Sequence, residues 1–256
     1  MSTRYAALAA LASIACATPI QQQAPSEPMT LADFYKGPGT HNPHVYTWSE
    51  QNDPVMGGSS TGNYSVVKTG ESAHALFQGT VRNVSFLHAP GYCRIGTVFP
   101  FGHIVDASDY VDGALELVVK NGQHTLPGSE YKGFKVAVSS TKAPRHHGGH
   151  ELFGMYKANF DMGEVGPVYP IGHGWDAVTI PFSKFSWDWS DFTGECATKD
   201  PDGYQHKCCE TGKEEVCPSE QGLSHINGLS VWAEGVEGDF LLQVKSISAV
   251  AGPDRK

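Results

Sequence analysis

Three imidazoles and a carboxylate crowd the run His146-His147-Gly-Gly-His150-Glu151, the densest group of metal-ligand side chains in the chain. To hold zinc or copper the loop must fold back on itself, and two adjacent glycines give it no rigidity for that. Solvated histidines beside Arg145 are the plainer expectation, so His146, His147 and His150 are only weak candidates, and no metal or cofactor is expected. His41-Asn-Pro-His44 is sparser still. Cys93 has Arg94 beside it and no identifiable base, so nucleophilic catalysis lacks its partner; within the apolar run 92–101 a buried free thiol is expected instead. The Gly-x-Ser-x-Gly elbow, the phosphate loop, Gly-x-Gly-x-x-Gly and His-Glu-x-x-His are all absent, which speaks against an enzyme.

The remaining cysteines carry a different chemistry. Cys196, Cys208, Cys209 and Cys217 fall in the polar, acidic stretch 191–222, where the neighbouring pair lacks the spacing of zinc ligands. Two disulfides are expected, and because a bridge between adjacent residues is strained, Cys196 should pair with one of Cys208 and Cys209 and Cys217 with the other. Just before them, Trp187-Asp-Trp189-Ser-Asp191 alternates indoles with carboxylates. If that segment is extended, Trp187 and Trp189 emerge on one face with Asp191 beside them, a platform suited to an apolar sugar face plus a hydroxyl. The plainer expectation is that one ring caps the core where the strand ends and the other covers the disulfide loop.

What positions these residues must be β-structure. The 256 residues are 40% hydrophobic and 11% aromatic, enough for a sizeable core, and 29 glycines with 16 prolines mark a turn-rich chain. Ala73, Ala75, Phe77 and Val81 alternate with His74, Gln78 and Thr80, and the same period recurs in Leu115–Lys120, Phe134–Ser139 and Val178–Phe182. No stretch carries a convincing helical period. A single all-β domain over 31–250 is expected, a two-sheet antiparallel sandwich or jelly roll, with Phe160, Trp175 and Trp232 in its core and 191–222 as a disulfide-stapled insert. Ahead of it, 1–17 has one arginine, an apolar run and Ala15-Cys-Ala17, the pattern of a cleaved secretory signal, and 18–30 reads as a flexible leader. The sequons at Asn63 and Asn83 are glycosylation candidates in such a route. A formal charge of −9 disfavours nucleic acid, and no run is long and apolar enough to predict a membrane span.

One segment fits none of these patterns: Trp48-Ser-Glu-Gln-Asn-Asp53-Pro-Val-Met56-Gly57-Gly58-Ser-Ser60, an apolar pair followed by two glycines and hydroxyls. Asp53, Met56, Gly57 and Gly58 are expected to form a structural turn in which Met56 anchors in the core and the glycines allow close approach; Asp53 is also a ligand-binding candidate. The segment resembles the opening signature of the complex I intermediate-associated protein 30 family. The resemblance continues in order through Ala75–Gly79, Tyr110–Leu117, Trp175–Phe185, Ile226–Ser230 and Phe240–Ile247. It implies a galactose-binding-domain-like β-sandwich and, for the mitochondrial members, a non-enzymatic role in assembling respiratory complex I. Three departures stand out: the secretory signal, Gly91-Tyr-Cys-Arg-Ile95, and the cysteine-bearing insert. The reading that accommodates them is a secreted or extracellular binding module that holds a glycan or a protein surface. The alternative is a mitochondrial assembly or folding factor working through protein contacts.

Overall fold

The fold is taken from a computed structural model, which describes residues 27–35, 43–53, 57–70, 72–85, 88–100, 102–121, 131–147, 154–161, 168–172 and 174–252. The expected signal segment, most of the leader, His41, Met56, His150 and Glu151 lie outside the described residues. In chain order the strands are β1 (Met29–Asp33), β2 (Ser49–Asn52), β3 (Thr61–Thr69), β4 (Ser72–Val81), β5 (Asn83–Val84), β6 (Ala89–Pro90) and β7 (Tyr92–Val98). They continue with β8 (Ala114–Asn121), β9 (Phe134–Ser140), β10 (Gly154–Asn159), β11 (Val168–Gly172), β12 (Trp175–Pro181), β13 (Ile226–Glu234) and β14 (Gly238–Val250). A one-turn helix α1 (Glu220–Leu223) is capped by Ser219, whose hydroxyl accepts from the Gly222 N–H at 3.0 Å.

Two antiparallel sheets face each other. One is seven-stranded, in the order β11-β12-β8-β14-β4-β3 with β1 added beside β14; the other is five-stranded, β10-β9-β13-β7-β2. β1 begins at Met29, two residues ahead of the expected domain start at Leu31. The alternating residues of β4 point inward as their spacing requires: Ala73, Ala75, Phe77 and Val81 are buried while His74 and Gln78 are less so. Long β14 changes phase, burying Phe240, Leu242 and Val244 and then Ile247 and Ala249. A period-two strand can do that only by gaining a residue, and the ladder with β8 shifts between Val244 and Ser246. Between the sheets Phe77 and Phe134 both meet Phe240, at 4.7 and 6.2 Å between ring centroids.

All nine residues of β13 are buried, so something also covers the far side of the five-stranded sheet. That cover is part of the long connection from β12 to β13, which contains the cysteines and three-residue 3-10 turns at Phe182–Lys184 and Glu214–Val216. Of the three aromatics expected in the core, Trp232 is buried in a second small cluster with Ala137, Met155 and Trp189 under this cover, whereas Trp175 is only half-buried, against His74 at 5.2 Å. Phe160 is in the core as expected.

Candidate functional site

The turn that the sequence singled out is built around Asp53, which is 1% exposed. Its carboxylate accepts the Ser60 N–H at 3.0 Å, the Ser60 hydroxyl at 2.7 Å and the Tyr92 N–H at 3.2 Å, while the Arg82 N–H donates to the Ser60 hydroxyl oxygen at 3.0 Å. One buried charge thereby ties the segment after β2 to the start of β7. Gly57 turns the chain at φ +74°. A Cβ on Gly58 would lie 2.2 Å from the Asp53 carboxyl carbon, and one on Gly91 would lie 1.4 Å from its Oδ2, so both glycines make room for the carboxylate. With its oxygens hydrogen-bonded to Ser60 and Tyr92, Asp53 acts as a tie in the fold. Cys93 follows directly: buried, and with that carboxylate near, its thiol pKa is pushed up to about 12 by desolvation first and charge repulsion second.

Trp187 and Trp189 pack inward and do not form the platform. The chain bends at Trp187 instead of running extended, so residues two apart no longer share a face. Trp189 is 2% exposed. It is clamped between the His146 ring, stacked at 3.6 Å, and the Lys157 ammonium, 3.5 Å from its centroid. The same ammonium lies 3.8 Å from the Trp232 centroid and pairs with Glu234 at 2.9 Å, and Arg94 covers Trp232 at 4.7 Å. Burial pulls the Lys157 pKa down, with Glu234 opposing that shift. Lys135 adds a contact from its ammonium to Glu195 at 3.0 Å. Trp187 is half-buried against the main core, its indole N–H donating to the Glu215 carbonyl at 2.9 Å. Asp191 is exposed and holds His146 at 2.7 Å, whereas His147 pairs with Asp202 at 3.1 Å and stacks on Tyr204 at 4.1 Å. The two histidines therefore serve separate carboxylates, and among the described residues no cluster of three or more metal-ligating side chains occurs.

Asp188 and Ser190, which an extended segment would turn to the opposite face, are buried and organise the insert. The His206 ring sits between Asp188 at 2.7 Å and Asp200 at 2.8 Å, and the Ser190 hydroxyl donates to Asp200 at 2.5 Å. Disulfides Cys196–Cys208 and Cys209–Cys217 close the two halves of this small polar core, with Cys93 a free buried thiol. The Asp188-His206-Asp200 lock was missed from sequence. Its only signal was a histidine set among acidic residues between paired cysteines.

The second disulfide loop leans over the end of the seven-stranded sheet and leaves a groove of about 810 Å³. Thr179 and Pro181 on β12 and Glu116 on β8 lie along the sheet side, with Val111 and Ala251 at the end. Glu210, Thr211 and Glu214 stand opposite, on the loop carrying Cys209 and Cys217. Nothing in the sequence distinguished these residues, because each is an ordinary surface residue until the loop folds across. A smaller cleft of about 50 Å³ brings Asp53 and Asp191 to one place beside Tyr92 and Glu234, while Trp187 lies elsewhere. The sequon residues Asn63 and Asn83 are both exposed.

The profile of the family Complex I intermediate-associated protein 30 (CIA30) matches residues 38–200, more than half of the chain. No curated protein matches the sequence. Among solved structures, a family 11 carbohydrate-binding module from Clostridium thermocellum, in complex with a β-1,3-1,4-mixed-linked tetrasaccharide, aligns with a TM-score of 0.48 at 13% identity, covering 89% of this chain and 98% of that one. The family 11 module of a cellulosomal cellulase of Clostridium thermocellum aligns with a TM-score of 0.47 at 14% identity, covering 88% and 95%. At these identities the likeness is one of general shape.

Proposed function

The chain belongs to the complex I intermediate-associated protein 30 family, and from that premise we propose that it is a non-catalytic binding module, secreted into an oxidising compartment, that holds a protein surface. The observation that carries this reading is the groove between the Cys209–Cys217 loop and the seven-stranded sheet, whose volume of about 810 Å³ falls in the range of ligand sites. Its floor mixes Pro181, Val111 and Ala251 with hydroxyls, the composition that suits a polypeptide segment. The choice of protein over glycan follows from the tryptophans. Trp189 and Trp232 are buried and stacked on the protein's own cations, and the Trp187 N–H already has its partner, so no exposed indole pair is on offer. Two disulfides support an extracellular setting. The family takes its name from association with complex I intermediates, and contact with a protein partner is the part of that name carried over to this chain.

The test is a pair of arrays, one of peptides and one of glycans, probed with labelled wild type and with Thr179→Phe, which places a ring on the groove floor. Retention on peptides that Thr179→Phe abolishes is the expected result. Retention on glycans that ignores the substitution would overturn the assignment.

A further inference from the structure

We infer that the occupant of this groove is an extended polypeptide segment bearing several lysine or arginine side chains; this rests on the binding-module reading above and names its partner. The charge is one-sided. Asp112 comes from the turn before β8, Glu116 from β8, and Glu210 and Glu214 from the loop wall, and no lysine, arginine or histidine is among the described residues lining the groove. Lys213 already balances Glu210 from outside the groove, and Glu214 accepts the Gly212 N–H at 2.8 Å. Glu116, on β8, makes no ion pair among the described residues.

The arrangement selects among cations. A divalent metal needs its ligands to converge on a point, and these carboxylates stand on two separate walls, with no cluster of three or more metal ligands among the described residues. A ligand must therefore carry charges at several places along its length. It must also tolerate Val111 and Pro181, apolar residues that line the groove with those carboxylates. Lysine and arginine meet both demands, because their methylene stems lie on apolar surface while their heads reach carboxylates. The net charge of −9 adds a long-range field of the right sign for such a partner.

The full chain is titrated, by fluorescence anisotropy at two salt concentrations, into three labelled heptapeptides of one design: Gly-Lys-Val-Lys-Val-Lys-Gly and its Glu and Ser counterparts. Hydrogen exchange of each mixture reports which segments are protected. The lysine peptide should bind, protect 111–116, 179–183 and 209–218, and weaken by about tenfold or more in Glu116→Lys with Glu214→Lys, and by far less in the charge-matched Glu27→Lys with Glu237→Lys, two exposed sites outside the groove. Equal weakening in the two double variants overturns the proposal, since attraction to net charge alone then explains it. Protection of the groove by the Glu or Ser peptide but not the Lys peptide overturns the cationic partner and leaves the binding module standing. Protection of the groove by none of the three, taken with silent peptide arrays, removes both.

Discussion

The outer face of the five-stranded sheet and the outer face of the seven-stranded sheet carry opposite kinds of residue and meet solvent in opposite ways. The first holds Trp189, Trp232 and the buried lysines, and the connections around it have closed it: His146, Trp189, Lys157, Trp232 and Arg94 stack in sequence, with Glu234 supplying the countercharge. At its groove end the second presents threonine, proline and glutamate, and the Cys209–Cys217 loop stands across it with space between. Residue type thus states what a side chain can do, and packing decides whether it is available to do it. The aromatic, charge-rich face stabilises this fold, and the ordinary face is the one with space.

Breaking the closed face should give the largest effects. Trp189→Ala removes a fully enclosed ring and should destabilise by about 3–5 kcal/mol, and Lys157→Met, which leaves Glu234 buried without its partner, by a similar ~3–5 kcal/mol. In a chain of this size either appears as a fall in melting temperature of roughly 10 °C. Lys157→Met combined with Glu234→Met should lose much less than Lys157→Met alone, and equal losses would show that the ion pair is not what the indoles enclose. Next comes the tie at the edge of that face. Asp53→Ala leaves the Ser60 and Tyr92 N–H groups without an acceptor and should cost about 2–4 kcal/mol, and Gly91→Ala should match it, because its new methyl displaces the same carboxylate.

Effects on the open face should be smaller in stability and larger in binding. Cys209→Ser with Cys217→Ser opens a short loop and should cost about 2–3 kcal/mol by the chain-entropy estimate, with peptide retention lost and the melting of Trp189 variants unaltered relative to their parent. Thr179→Phe should change stability by no more than ~0.5 kcal/mol while abolishing retention. A Thr179→Phe protein that melts far below wild type would mean the groove floor is part of the core, and the contrast between the two faces would fail.

Much of the sandwich was legible in the sequence because period-two burial is a local signal. Ala73, Ala75, Phe77 and Val81 announce which face is covered without reference to any partner. The phase change in β14 was not legible, since a one-residue bulge leaves no mark of its own beyond a broken alternation at Lys245. The cysteine spacing separated plausible bridges from strained ones but could not choose between Cys208 and Cys209; the fold joins Cys196 to Cys208. For the indoles the sequence left packing and platform both open, because period two holds only in an extended chain; the bend at Trp187 sends one ring to the main core and the other beneath His146. The groove was invisible for a deeper reason: Glu116 and Glu214 are 98 positions apart, and only the path of the insert sets them across from each other.

The contrast between the faces is tested most directly by amide hydrogen exchange on the full chain with and without the Gly-Lys-Val-Lys-Val-Lys-Gly peptide. Protection confined to 111–116, 179–183 and 209–218 is the result predicted. Protection at 49–51 and 94–98, on the tryptophan-bearing face, with the groove segments exchanging as in the free protein, would contradict the account.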